Sequence, residues 1–353
     1  MRSITVGTRR SLLAKTQTAQ VVGTLQARYP NLQIHTQEIV TKGDRIVDVP
    51  LSQVGGKGLF ISEIEDALLR GDIDFAVHSM KDMPALLAPG LTIAAVPQRE
   101  DPRDLLISRS GHSLTTLPQG ALVGTSSLRR TAQLLHARPD LQIRTLRGNI
   151  DSRLRKLDSL DAIVLAAAGL LRMGWWDDGG WRKENGWRRQ DGTVPGALPL
   201  SLADMLPAVG QGALALEARA DDAVLLALLR ALHDPVSAWQ IEAERAFLAT
   251  VGGSCQAPVA AYAGAEFAGA GRNGSAAGAW SAPFRKSADE GLEGSGDPEG
   301  SLSGLIASTD GQRIVRAAAR GPDAAMIGRK LGEQLLAQGG RELLEELRTD
   351  GMG

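Results

Sequence analysis

The 353-residue sequence contains one cysteine, Cys255. That excludes an internal disulfide framework and a zinc site built on cysteines of one chain. It has no long apolar run either: the longest, Ala162 to Leu171, is about half of what a bilayer-spanning helix needs. Neither sign of charge dominates, since 39 Lys and Arg face 40 Asp and Glu for a formal net charge of -1. A globally basic nucleic-acid binder and a polyanionic tail protein are thereby excluded, but a local basic pocket is not. The opening MRSITVGTRRSLLAK runs straight into a strand pattern with no signal-peptide core, so a soluble cytoplasmic protein is expected. The five histidines show no metal-ligand spacing, and no metal is expected. Lysine is also scarce, with 8 against 31 arginines. Codon bias is one source of such a ratio. A need for the planar two-point fork that arginine offers carboxylates and phosphates is the other.

The chain length predicts two or three domains. Ile4 to Gly7 reads as a strand, Ser11 to Tyr29 as a helix, Leu32 to Val40 as a strand, Ile61 to Arg70 as a helix and Ile73 to Met80 as a strand. The rhythm restarts with strand Ala121 to Gly124, helix Leu128 to His136, strand Gln142 to Leu146, helix Ile150 to Leu157 and strand Ala162 to Ala168. Val6-Gly7-Thr8 is echoed by Val123-Gly124-Thr125. The expected fold class is α/β: two related βαβ-type lobes, periplasmic-binding-protein-like, around a cleft. From Pro235 a helix (Trp239 to Thr250) and strands Ala257 to Ala263, Leu302 to Ser308 and Arg313 to Ala318 predict a small C-terminal α+β domain with an antiparallel sheet; a helix over Asp323 to Ala337 follows. The boundaries read as 1–98 plus about 213–232, then 99–212, then 235–353. Two stretches read as insertions or surface loops: about 174–198, with four of the six tryptophans, and about 264–300, rich in Gly, Ala and Ser.

Ligands of such sheets sit beyond the carboxyl ends of the strands. There the sequence places Thr8, Arg9, Arg10 and Ser11; His78, Ser79, Lys81 and Asp82; Thr125, Ser126, Ser127, Arg129 and Arg130; and Arg147, Gly148, Asn149, Arg153 and Arg155. Hydroxyls and free N–H groups at helix starts, with arginines beside them, form anion sites, and their repetition in both lobes points to a cleft for a polyanion. Asp82 is a lone carboxylate in that field: a cap or salt-bridge partner of Lys81, or a counter-ion or proton-transfer group for a cationic intermediate. Cys255, after a glycine turn, reads either as a small buried residue or as a nucleophile or attachment point. Gly55-Gly56-Lys57-Gly58 lacks the Walker spacing. Gly210-Gln211-Gly212 is followed by a strand-like alternation, so both nucleotide readings are rejected.

Taken together, eight segments resemble the hydroxymethylbilane synthase (porphobilinogen deaminase) family. They are Gly7 to Ala14, Leu51 to Phe60, Ala76 to Pro84, Arg99 to Asp104, Gly124 to Arg130 with Leu146 to Asn149, and Leu206 to Ala213 with the Cys255 loop. The resemblance implies a transferase that joins four porphobilinogen molecules head to tail, releasing ammonia, and then hydrolyses off linear hydroxymethylbilane. It implies a dipyrromethane cofactor in thioether linkage to Cys255 and held by Ser79, Lys81, Thr125, Ser127, Arg129, Arg130 and Gly148. By the same resemblance Arg9, Ser11, Arg147, Arg153, Arg172 and Gln211 bind substrate, and Asp82 is the catalytic aspartate, stabilising the azafulvene cation left when ammonia departs. Asp44, Lys57 and Phe60 fall in a mobile lid over the cleft. Each pyrrole carries an acetate and a propionate, so an arginine-lined cleft suits the growing chain. No nucleic acid or membrane partner is expected, and a monomer is. The rival class is a solute-binding protein with two lobes, which turnover of porphobilinogen distinguishes.

Overall fold

The computed structural model describes residues 3–45, 61–184, 186–189, 191–252, 257–266 and 299–350. The first part of the chain runs β1 (Ile4–Arg9), α1 (Leu12–Arg28), β2 (Ile34–Ile39), α2 (Lys42–Arg45), α3 (Ser62–Arg70), β3 (Phe75–Ser79), a 3-10 turn at Met80–Asp82 and β4 (Leu91–Ala95). It then crosses to a second sheet through β5 (Asp104–Ser108), β6 (Leu122–Gly124), α4 (Leu128–Ala137), β7 (Gln142–Arg144), α5 (Ile150–Arg155), β8 (Ala162–Ala166) and α6 (Ala167–Arg172). A short hairpin, β9 (Trp176–Asp177) and β10 (Gly180–Trp181), and β11 (Gly196–Pro199) complete that part. The chain returns to the first sheet as β12 (Leu214–Arg219), followed by α7 (Ala223–Arg230).

The two sheets repeat one plan. The first has the order β2-β1-β3-β12-β4 and the second β7-β6-β8-β5-β11. In each, the second strand, β1 or β6, pairs in parallel with both neighbours, and the fourth strand enters antiparallel to the central one. That antiparallel strand, β5 or β12, is the first one after the chain has crossed from the other sheet. The lobes are therefore tied by two adjacent crossing segments, about 96–103 and 200–213. They run close enough that a Cβ on Gly212, at φ +88°, would lie 2.3 Å from the Glu100 carbonyl oxygen. Only glycine fits there.

Alternation explains the lobe cores. Val6, Phe75, Val77, Leu214, Leu216 and Ala218 face one side of the first sheet and pack on Val21 and Leu25 of α1 and Leu225 and Leu229 of α7. Each such fully buried large side chain contributes about 1.5–3 kcal/mol. The α1 helix starts where Ser11 Oγ accepts the Ala14 amide at 3.2 Å, and α4 where Ser127 Oγ accepts that of Arg130 at 3.5 Å. Both caps stand at equivalent points of the two lobes.

The remaining chain forms α8 (Pro235–Val251), the antiparallel sheet β13 (Val259–Glu266), β14 (Glu299–Ala307) and β15 (Ile314–Gly321), then α9 (Ala324–Leu335) and α10 (Arg341–Asp350). Phe247 and Trp239 of α8 and Leu331 of α9 close its core on Leu302 and Ile306. The β14–β15 turn reaches the second lobe, where a Cβ on Gly311 would lie 2.3 Å from the Ala132 carbonyl of α4.

Three features differ from the sequence reading. The strand expected over Ala162 to Ala168 stops at Ala166 and becomes α6, because Ala167 to Leu170 bury as a helical turn. The tryptophan-rich stretch is no surface loop. Trp176 is 1% exposed and packs with Leu105, Leu165 and Leu170, Trp181 donates to the Pro195 carbonyl at 2.7 Å, and Trp187 donates to Asp151 at 3.1 Å. A few large rings bury as much area as several aliphatic residues. Finally, Gly264–Glu266 and Glu299–Ser301 are paired strand rather than loop, so the stretch between those stems is shorter than expected.

Candidate active site

The strand ends of both lobes meet at the crossing segments. On the first lobe, Arg9 closes β1 and is half-buried, and Ser11 caps α1. Ser79 closes β3 and accepts the Gln17 amide at 3.1 Å. The 3-10 turn then carries Lys81, half-buried, and Asp82, exposed. On the second lobe, Thr125 follows β6, is buried, and accepts the Ser127 amide at 3.2 Å. Gly148 sits at φ +112° between Arg147 and Asn149, whose side chain caps α5 by accepting the Ser152 amide at 2.9 Å. Arg153 Nε donates to the Gly148 carbonyl at 2.7 Å, which ties the first turn of α5 back to the loop before it.

Asp104, Arg129, Arg130, Gln211 and Lys81 form one connected network. Asp104 is fully buried at the start of β5. Its Oδ1 accepts Arg130 Nε at 3.1 Å, Arg130 Nη2 at 2.7 Å and Gln211 Nε2 at 3.0 Å, and its Oδ2 lies 2.8 Å from Arg129 Nη1. The guanidiniums are pinned further by carbonyls: Arg130 Nη1 donates to Val164 at 2.9 Å and Arg129 Nη1 to Leu206 at 2.8 Å. Gln211 also donates to the Pro102 carbonyl at 2.7 Å and accepts from Lys81 Nζ at 3.5 Å. Arg129 and Arg130, which the sequence suggested as open anion receptors, are 4% and 6% exposed and already share a counter-ion.

The titration shifts follow from this crowding. Burial pushes the Lys81 ammonium down to about 8; Asp82 and Asp104 oppose the shift, and Arg130 and Arg129 add to it. Burial alone would raise the Asp104 carboxyl, but the charges and hydrogen bonds of Arg129 and Arg130 outweigh it and hold the carboxyl well below the usual range. Burial brings Arg153 down to about 10, with Arg130 and Arg147 adding to the shift and Asp82 opposing it. Asp82 on one lobe thus lies within the field of Arg153 on the other. Arg172 stands apart from this group. It donates to the Gly212 carbonyl at 2.6 Å, and burial lowers it to about 10 against the pull of Glu100.

Cys255, Lys57 and Phe60 lie outside the described residues, as does the side chain of Asp44, whose backbone belongs to α2. Among the described residues no cluster of His, Cys, Asp or Glu is arranged to hold a metal ion, and no helix is long and apolar enough to cross a membrane. Sequence reasoning missed Asp104 as a site residue. It stood in the run Arg99-Glu-Asp-Pro-Arg-Asp104, and the signal was an acidic residue immediately before the apolar Leu105-Leu106-Ile107.

The two sheets of like topology, with Lys81, Arg129 and Arg130 gathered around the Asp104 carboxylate, define a two-lobed α/β protein. Residues 4–227 match the family model "Porphobilinogen deaminase, dipyromethane cofactor binding domain", and residues 238–270 match "Porphobilinogen deaminase, C-terminal domain". The chain is 47% identical over 346 residues to a porphobilinogen deaminase of Exiguobacterium sp., covering 98% of each chain. It is 49% identical over 348 residues to that of Paenibacillus macerans, covering 96% of this chain and 98% of the other. The porphobilinogen deaminase of Bacillus subtilis is 45% identical over 352 residues, covering 99% and 98%. The chain belongs to the porphobilinogen deaminase family, the hydroxymethylbilane synthases, and residues 4–227 form its dipyrromethane cofactor-binding domain. Among solved structures, the periplasmic aliphatic sulphonate binding protein SsuA of Escherichia coli shows 16% identity over 70% of each chain at a TM-score of 0.35.

Proposed function

We propose that this chain condenses porphobilinogen head to tail with loss of ammonia and releases linear hydroxymethylbilane, with the cleft between the two sheets as the reaction site. The observation that carries the residue roles is the placement of Asp82: exposed on the turn after β3, beside Lys81, and within the field of Arg153 from the opposite lobe. The donor set fits a dipyrromethane group. Ser79, Lys81, Thr125, Ser127, Arg129, Arg130 and Gly148 supply hydroxyls, cations and backbone groups of the kinds that suit acetate and propionate side chains. When bound through Cys255, that group supplies the primer to which pyrrole units are added. Arg9, Ser11, Arg147, Arg153, Arg172 and Gln211 orient the carboxylates of incoming porphobilinogen. Asp82 accepts hydrogen bonds from pyrrole N–H groups and stabilises the positive charge that develops on the ring as ammonia leaves.

The domain division 1–98 plus 213–232, 99–212 and 235–353 belongs to the same reading. It is supported by the separate cores of the three sheets. So does a cytoplasmic monomer, whose oligomeric half is tested by sedimentation at the mass of one chain.

Asp82→Asn is the test of the catalytic assignment. It should retain the fold and the cofactor yet lower porphobilinogen turnover by about 10²–10³-fold, because a neutral amide cannot stabilise the cation. Near-normal turnover would remove Asp82 from its role.

A further inference from the structure

We propose that Asp104 is a positioning residue of this site: its single carboxylate fixes the Arg129 and Arg130 guanidiniums and, through Gln211, the Lys81 ammonium beside Asp82. The cationic floor of the cleft is then in place before any ligand arrives. This rests on the assignment of Lys81, Arg129 and Arg130 to the site.

The geometry gives Asp104 this reach. It opens β5, the first strand after the crossing, so its side chain stands where α4, the return segment before β12 and the turn after β3 converge. Its two oxygens take four contacts from three residues on two other segments, all at 3.1 Å or less. One carboxylate for two guanidiniums holds both in one rotamer while leaving one positive charge uncompensated, and that residual charge is what an anionic ligand meets. Two carboxylates would have made the floor neutral. Carbonyl contacts from Val164 and Leu206 fix the far sides of the guanidiniums, so Asp104 selects direction as well as supplying charge. Gln211 carries the effect to Lys81: its amide nitrogen donates to Asp104 and its amide oxygen accepts from Lys81. The charged groups acting on Lys81 are Asp82 on its own turn, Asp104 on β5, and Arg129 and Arg130 on α4. Arg147 and Arg153 stand beyond them in the same field.

The test uses the full chain with Asp104→Asn and, separately, Gln211→Met. The first reading is the titration of Lys81, followed as the pH dependence of its acylation by an amine reagent and read by peptide mass. This needs no turnover. Loss of the Asp104 charge should move the Lys81 midpoint to lower pH by at least about half a unit, and Gln211→Met should move it in the same direction by less. The second reading is the KM for porphobilinogen, which should rise about tenfold in Asp104→Asn, more than kcat falls. Should Asp104→Asn fail to fold, Gln211→Met decides, since it leaves the Asp104–arginine contacts in place. An unmoved Lys81 midpoint in the folded variants, with KM within about twofold, would overturn the proposal and leave Asp104 a purely structural ion-pair residue, whatever the melting temperature does. If the parent protein does not turn over porphobilinogen, the site reading falls, while the Lys81 titration still decides whether Asp104 positions it.

Discussion

Two buried ionic clusters share the crossing segments and differ in stoichiometry. At the joint with the small C-terminal sheet, Arg99 meets Glu244 one to one through contacts of 2.6 and 3.2 Å, and both are buried. Further contacts hold both groups in place. Arg99 Nε donates to the Gln211 carbonyl at 2.9 Å, Glu244 accepts the amides of Gly210 at 2.7 Å and Ala263 at 2.9 Å, and the Tyr262 ring lies 5.2 Å from the guanidinium. At the cleft, Asp104 faces two arginines and a lysine instead. The first cluster is neutral and closed, which is the state of a structural joint. The second gathers more positive than negative charge around one buried carboxylate, which costs stability; under the proposed function a ligand supplies the missing anion. Gln211 belongs to both, by its backbone carbonyl to one and its side chain to the other.

The largest expected effect comes from breaking the neutral cluster. Arg99→Leu leaves Glu244 buried with an uncompensated charge and should destabilise the protein by about 3–5 kcal/mol in chemical denaturation. The molecules that remain folded should keep their cofactor and their KM. Reducing the imbalance of the second cluster is the sharper contrast. Arg130→Leu removes one of its excess positive charges and the bond to Val164, and should cost about 1–3 kcal/mol in stability. Porphobilinogen KM should nevertheless rise by tenfold or more, about 1.4 kcal/mol of lost binding. A large stability loss with unchanged KM would make the two clusters equivalent.

Smaller and of opposite sign is Lys81→Met in the protein freed of cofactor. Burial lowers Lys81 from 10.5 to about 8, so between those values the unfolded chain binds the extra proton and stability rises with pH. Below about pH 8 the buried ammonium is a full penalty, and its removal should stabilise by about 1–2 kcal/mol, a gain that disappears as pH approaches 10.5. Urea midpoints at pH 7 and pH 10 measure the difference. The smallest effect is ionic. Raising salt should increase KM in the parent protein more steeply than in Arg130→Leu, because the cleft charge is partly screened over about 8–10 Å.

How far the sequence reveals this depends on whether a residue's partner is near in the chain. Ser11 and Ser127 were legible as helix starts because a cap and its amide are three residues apart, and Leu214 to Ala218 was legible as a strand from alternation alone. Thr125, Ser127, Arg147 and Arg153 are legible as ligand candidates from the rule that strand ends carry ligands. The pairing of β5 with β8 and of β12 with β3, across roughly 60 and 140 residues, leaves no local trace. For the same reason Asp104 looked like one more charge in a charged run, although its partners at 129, 130 and 211 make it the most buried acid of the cleft. The tryptophans misled in the other direction. Set among Gly, Asp and Arg they have no period, yet their area places Trp176 in the core.

The measurement that tests the account most directly is the intact mass of the purified full chain, with Cys255→Ser measured beside it. The account predicts an excess over the sequence mass equal to two porphobilinogen units less their ammonias, present in the parent and absent from the Cys255→Ser protein. A parent protein at its bare sequence mass, and unchanged after incubation with porphobilinogen, would contradict it: the cleft would then hold an anion without carrying the chemistry.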